Sequence, residues 1–214
     1  MNLEVILHFI GIDLEGVLVP EIWQTLAKKI NIKELELTTK DIPNYQNLMK
    51  NRIKVLKREN IKAKELFEIA KNINPYKGAE KFLSEIRKNH QVIILSDTFF
   101  NLSRPIFKKL NFPTVFCHHL EVDKDGMISG VNRCATDHKK KVIRFMNNLS
   151  SNTIAIGDSY NDLAMLKEAN LGILFKSTKE IISKNPNFFN CETYKVLLDT
   201  INKNHKEWSN RYVK

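Results

Sequence analysis

Asp13-Leu14-Glu15-Gly16 places two carboxylates at alternate positions just past an apolar run. In an extended chain, residues two apart face the same side, so Asp13 and Glu15 can work as a pair. An aspartate can attack phosphorus and hold it as an aspartyl-phosphate. A second carboxylate beside it can protonate the leaving oxygen and later take a proton from the attacking water. Ser96-Asp97-Thr98 follows a second apolar run. A hydroxyl and backbone N–H groups at such a junction can hold phosphate oxygens. Lys139 begins a predicted helix, where its ammonium could meet both the nucleophile and the phosphate. Gly157-Asp158-Ser159-Tyr160-Asn161-Asp162 is the most distinctive segment. Asp158 and Asp162 are hard oxygen donors of the kind that suits Mg²⁺. Each signal alone has an ordinary alternative: an acidic turn at Asp13–Glu15, an N-cap at Ser96, Asp158 or Ser159, a first-turn acid at Asp162, a solvated lysine at 139.

What gives the set weight is position. Residues 5–12, 91–95, 153–156 and 171–175 are short, near-continuous apolar runs, as expected of strands buried on both faces. Helical patterns follow at 78–89, 139–149, 159–169 and 177–183. Strands alternating with helices predict an α/β fold with a doubly wound parallel sheet. In such sheets ligands bind beyond the carboxyl ends of the strands, and the acids sit there. Residues 20–75 lack a good strand and read as helices at 21–30, 45–60 and 63–72, with Asp41-Ile42-Pro43-Asn44 as a turn. An all-helical block straight after the first strand predicts a cap over the site, with the core formed by 1–19 and 76–214. Asp123-Lys124-Asp125-Gly126 signals a hairpin. No internal repeat or low-complexity tract is present.

Composition excludes other classes. Over 214 residues, 43% hydrophobic and 27% charged is ordinary globular usage. The net charge of +10 favours meeting anions, but the basic runs are short and no stripe with interleaved aromatics is present, so nucleic acid is not expected. Cys117, Cys134 and Cys191 are odd in number and lack CxxC spacing, which argues for a reducing compartment. The start reads as a strand, not a signal peptide, and no window is apolar enough for a bilayer, so no membrane partner and a cytoplasmic location are expected.

Taken in order, these residues resemble the four motifs of the haloacid dehalogenase superfamily of phosphatases: Asp13-Leu14-Glu15-Gly16-Val17-Leu18, Ser96, Lys139, and Gly157 through Asp162. Longer segments, including Val17-Leu18-Val19-Pro20-Glu21-Ile22-Trp23, Leu48-Met49-Lys50-Asn51-Arg52 and Leu95-Ser96-Asp97-Thr98-Phe99, are similar to its phosphoserine phosphatase branch, some members of which pass the phosphoryl group to homoserine. The resemblance implies a haloacid dehalogenase-like core with an inserted helical cap. It implies Asp13 as nucleophile and Mg²⁺ ligand, and Glu15 as general acid/base with its main-chain oxygen on the metal. Most of the superfamily carries Asp at that position, whereas this branch carries Glu. Ser96 would hold the phosphoryl group with Asp97 beside it, and Lys139 would pair with phosphate and Asp13. Asp158 would complete the metal site, Asp162 would support it, and Asn161 would reach the phosphate or substrate. In the cap, Glu21 would neutralise the substrate ammonium and Arg52 would fork onto its carboxylate. The implied cofactor is Mg²⁺, the implied substrates O-phosphoserine and homoserine. Oligomeric state is not legible. The competing readings are a relative acting on another small phosphomonoester, and a basic binding protein that keeps the fold without the chemistry.

Overall fold

The computed structural model describes residues 8–38, 41–42, 44–149 and 152–211. Residues 5–7 of the first apolar run and Pro43 of the expected turn lie outside the described residues. The strands are β1 (His8–Ile12), β2 (Gln91–Phe99), β3 (Thr114–Val122), β4 (Ile128–Asn132), β5 (Asn152–Gly157), β6 (Leu171–Phe175) and β7 (Phe189–Cys191). They form one sheet in the order β4-β3-β2-β1-β5-β6-β7. Every neighbouring pair is parallel except β3 and β4, which are the arms of the hairpin that Asp-Gly signalled. The α/β parallel sheet expected from the four apolar runs is therefore present, enlarged by the hairpin and by the short edge strand β7.

The run of branched residues on β5 explains the layering. Every residue of β5 is buried, because the sheet is covered on both faces. Ile154 and Ile156 point into one core with Ile10, Ile12, Phe82 and Leu197. Ala155 points the other way, with Leu95, Ile143, Leu166 and Leu174. The first face is covered by α4 (Ala79–Ile86) and α9 (Tyr194–Arg211), the second by α6 (His138–Leu149) and α7 (Leu163–Glu168). Two further helices, α5 (Phe100–Lys109) and α8 (Lys179–Lys184), follow β2 and β6.

Between β1 and α4 lie α1 (Ile22–Ile30), a 3₁₀ turn at Lys33–Glu36, α2 (Tyr45–Arg58) and α3 (Ala63–Ala70). These helices stand where the 20–75 block was read, one or two residues shorter at their ends. The block returns to its start: Tyr76 N–H donates to the Leu18 carbonyl at 2.9 Å. It also leans on the hairpin, where Ala63 N–H donates to Gly126 O at 2.9 Å. Among the described residues, no helix is long and apolar enough to cross a membrane.

At the sheet end away from the acids, three histidines meet. His8 and His205 have ring centroids 4.6 Å apart, and His90 lies 5.0 Å from His205. Trp208 stacks on His8 at 5.6 Å. Among the described residues, both ring nitrogens of His8, and Nδ1 of His90 and of His205, are buried without a hydrogen-bond partner. Burial, and then the neighbouring rings, push His8 and His90 down to about 4. The unfolded chain then takes up protons first, near 6.5, so the cluster costs stability as pH falls from 6.5 through 4. The cost is at most about 3 kcal/mol for each ring. Thermal unfolding followed by circular dichroism should show a steep loss of stability across that window, flattened in His90→Leu. Parallel pH profiles for the two proteins would contradict this.

Candidate active site

Strand register brings the acids together. Ile12 pairs with Ile94 on β2 and with Ile156 on β5. Asp13 follows β1 directly, with its N–H donating to Ile156 O at 2.9 Å, and Asp158 follows β5 directly. After Asp13 the chain folds tightly back, with Leu18 N–H donating to Leu14 O at 2.8 Å. Gly16 makes that turn possible. Its φ is +77°, and a Cβ there would lie 2.3 Å from the Asp158 carboxyl carbon. Gly157 is needed for the same reason: a Cβ would meet Asp162 Cβ at 2.3 Å.

Asp162 has no exposed surface and spends its oxygens on the loop. Its Oδ2 accepts from Asp158 N–H at 3.0 Å, and from Ser159 N–H and Ser159 Oγ at 3.1 Å. Its Oδ1 accepts from Lys139 Nζ at 2.8 Å. The segment read as one helix from 159 is thus a 3₁₀ turn at Tyr160–Asp162, capped by Ser159, before α7 begins.

Lys139, in the first turn of α6, is buried and touches three carboxylates: Asp162 at 2.8 Å, Asp13 at 3.0 Å and Asp97 at 3.5 Å. Burial would lower its pKa, but Asp13, Asp162 and Asp97 raise it well above the ordinary value, so it stays an ammonium. Of the adjacent lysines, Lys140 instead lies 3.9 Å from Glu168 on the surface.

Asp13, Asp158 and Asp162 offer carboxylate oxygens all within 4.8 Å of one another. At that spacing two unit charges repel by about 3–4 kcal/mol at an effective dielectric of 20. Burial, then the charge on Asp162, pushes Asp13 well above the usual carboxylate range despite Lys139. Burial and Asp162 likewise push Asp158 up to about 7. One ammonium does not balance this cluster. An all-oxygen set with surplus negative charge is what a hard divalent cation such as Mg²⁺ takes, so the residues fit the metal that the sequence implies.

Glu15 accepts from Ile22 N–H at 2.7 Å. Burial, then Glu21, pushes it up to about 8, so it carries its proton at neutral pH. Ser96 is fully buried within β2, which runs on through Ser96-Asp97-Thr98 to Phe99. The expected strand-to-helix junction lies four residues later than it was read, because β2 slips register against β3 between Leu95 and Phe99 and then pairs again. Ser96 Oγ accepts from Thr98 N–H at 3.2 Å, and Ser96 caps no helix.

Two hollows open beside these groups. One, of about 330 Å³, is lined by Glu15, Glu21, Arg52, Asp97, Asp158 and Asn161, among others. A second, of about 310 Å³, shares Tyr45, Asp97 and Asn161 with it and adds Lys139 and Arg133. Asp13, Ser96 and Asp162 line neither; Asp13 and Asp162 contact Lys139, which does. Arg52 is not a solvated helix residue. It is 7% exposed, its guanidinium sits 4.5 Å over the Trp23 ring, and Nη2 donates to Leu37 O at 2.8 Å. Its Nε is buried with no hydrogen-bond partner among the described residues. Burial pushes Arg52 down to about 10, while Glu15, Tyr45 and Glu21 act against that. All ten residues singled out in the sequence therefore surround one region. His118, His138 and Tyr45 were missed: the two histidines flank Asp97, and Tyr45 OH lies 3.4 Å from Asp97 O.

Comparison with known proteins agrees. A family model described as haloacid dehalogenase-like hydrolase matches residues 7–170. Phosphoserine phosphatase ThrH of Pseudomonas aeruginosa is 42% identical over 186 residues, covering 87% of this chain and 91% of that protein. A phosphoserine phosphatase of Pseudomonas syringae pv. tomato is 39% identical, covering 94% of this chain and 83% of that protein. Among solved structures, an apo phosphoserine phosphatase aligns with a TM-score of 0.69 at 25% identity, over 86% of this chain and 92% of that one. The chain belongs to the haloacid dehalogenase-like hydrolases and, within them, to the phosphoserine phosphatases.

Proposed function

We propose that the protein hydrolyses O-phosphoserine through an aspartyl-phosphate on Asp13, under a cap formed by residues 20–75. The observation that carries the substrate is buried Arg52, whose Nε has no partner and whose guanidinium shares a hollow with Glu21, Glu15 and Asp158. A buried guanidinium with one unmet N–H is costly unless an acceptor meets it. A ligand with a carboxylate for Arg52, an ammonium for Glu21 and a phosphate facing the Lys139 end has the charges of phosphoserine. The names of the two curated relatives support the same substrate.

The chain's own groups divide the work as follows. Arg52 and Glu21 orient the amino-acid end. Lys139, Ser96 and Asn161 hold the phosphoryl oxygens, and Asp97 lies beside them. Asp13 attacks phosphorus. Glu15, protonated at neutral pH, gives its proton to the departing serine oxygen. The resulting carboxylate then takes a proton from water as that water attacks the aspartyl-phosphate. Asp13, Asp158 and the Glu15 main-chain oxygen are the groups assigned to Mg²⁺, with Asp162 bracing them from behind. Bound there, the cation would supply charge neutralisation for an anionic nucleophile meeting an anionic phosphate. Homoserine is one methylene longer than serine and carries the same two charged ends, so the same hollow could admit it as the acceptor in place of water.

Phosphate release should require Mg²⁺ and O-phosphoserine and vanish in Asp13→Asn; adding homoserine should yield phosphohomoserine. No turnover of O-phosphoserine alongside turnover of another small phosphate would overturn the substrate. Arg52→Met should raise KM for O-phosphoserine about 10- to 150-fold, the worth of a charged hydrogen bond. It should leave phosphoethanolamine, which lacks the carboxylate, unchanged; equal losses on both would remove Arg52 from carboxylate binding. In metal-free protein Asp158→Asn should raise Tm by relieving carboxylate repulsion, and it should abolish the further rise that Mg²⁺ gives wild type. An unchanged Mg²⁺ shift in the variant would place the metal elsewhere.

A further inference from the structure

Asp97, His118 and His138 bring a carboxylate oxygen and two imidazole nitrogens within 4.8 Å of one another, beside the carboxylates just described. By donor type alone the trio suits a transition metal such as Zn²⁺. The protons argue otherwise. Cys134 N–H donates to His118 Nδ1 at 3.2 Å. A neutral imidazole has one bare nitrogen and one N–H, so the proton of His118 sits on Nε2 and that nitrogen cannot ligate a metal. His118 Nε2 is buried, makes no well-aligned hydrogen bond among the described residues, and lies 3.3 Å from Asp97 Oδ1. His138 Nε2 lies 3.1 Å from the Ser96 carbonyl, which can only accept, so its proton is committed there. That leaves a bare His138 Nδ1 facing Asp97 Oδ1 at 4.0 Å, with nothing to donate.

We propose that His118 is a positioning residue: its Nε2–H holds Asp97, and Asp97 Oδ2 in turn steadies the Lys139 ammonium against Asp13. The inference rests on the aspartyl-phosphate reading of the site. Three observations support the need for a brace. Asp97 is the one carboxylate on Lys139 that reaches the hollows, with its side chain 31% exposed. The backbone around it departs from the β2–β3 register, so the ladder does not fix it. The His118 ring, by contrast, is fully buried and wedged between His138 at 4.9 Å and Tyr45 at 5.7 Å. The 3.3 Å contact is long for a hydrogen bond, as such contacts often are before substrate arrives.

The test is a double-mutant cycle with His118→Leu, Asp97→Asn and both, plus His118→Gln, whose amide nitrogen can stand in for Nε2. On O-phosphoserine, His118→Leu should lower kcat about 10-fold, the usual loss for an outer partner. KM should hold, because Arg52 and Glu21 are untouched. His118→Gln should keep most of the activity. In the Asp97→Asn background His118→Leu should change kcat less than about 2-fold, since coupled residues are not additive. Additive losses, or Gln as poor as Leu, would overturn the proposal. A second readout needs no substrate: long-range ¹H–¹⁵N spectra of wild type should show His118 protonated on Nε2, with a shift in Asp97→Asn. A bare Nε2, or Zn²⁺ binding that moves the His118 ring, would overturn it and make the trio a metal site. If His118→Leu does not fold, the Gln variant and the spectra decide. If wild type leaves O-phosphoserine untouched, the function has failed, and the spectra alone judge the brace.

Discussion

The site depends on one buried ammonium among too many carboxylates. Lys139 Nζ contacts Asp162, Asp13 and Asp97, which come from the loop after β5, the end of β1 and the middle of β2. Isolated, a buried lysine would lose its proton, and buried aspartates would gain theirs. Together they keep part of their charge, on strands that the backbone ladder holds in a common register. The surplus negative charge is what makes the cluster fit a divalent cation. It also explains why Gly16 and Gly157 are tight. Side chains there would strike Asp158 and Asp162 and pull the cluster apart.

The second constraint is the division of labour between core and helical block. The core supplies the groups proposed to meet phosphate, from within β2, the loops after β1 and β5, and the first turn of α6. The block supplies Glu21, at the start of α1, and Arg52, on the inner face of α2. Trp23 carries the Arg52 guanidinium on its ring face, which keeps a buried cation in place while leaving Nε without a partner. Glu15 belongs to the core, yet it is pushed up by burial and then by Glu21 from the block, so the two parts act on one carboxyl.

Much of this was legible in the sequence, for physical reasons. Asp13, Ser96 and Asp158 follow short branched apolar runs, whose length and composition suit strands buried on both faces. Their ends therefore converge whatever the loops do. The helical block was legible from periodicity, although α1 starts one residue late and α2 and α3 end two residues early. Other parts were not legible. Pro105 inside α5 reads as a breaker, and β3 is too polar to show a buried run, so α5 and the first part of β3 did not stand out; only the hairpin end of β3 did. The burial of Arg52 depends on Trp23 and Leu37, neither near it in sequence. His118 lies mid-strand with no spacing to any motif. Its proximity to Asp97 arises from a register slip that only the folded sheet contains. The three-histidine cluster joins residues at positions 8, 90 and 205, which no local pattern could connect.

The account stands on Asp13 as the group that takes the phosphoryl. Rapid acid quenching of the Mg²⁺-loaded enzyme with ³²P-labelled O-phosphoserine, followed by digestion, tests this directly. The account predicts a base-labile label on the peptide that contains Asp13, absent in Asp13→Asn. Label on another peptide, such as one bearing His138, or turnover without any labelled enzyme, would contradict it.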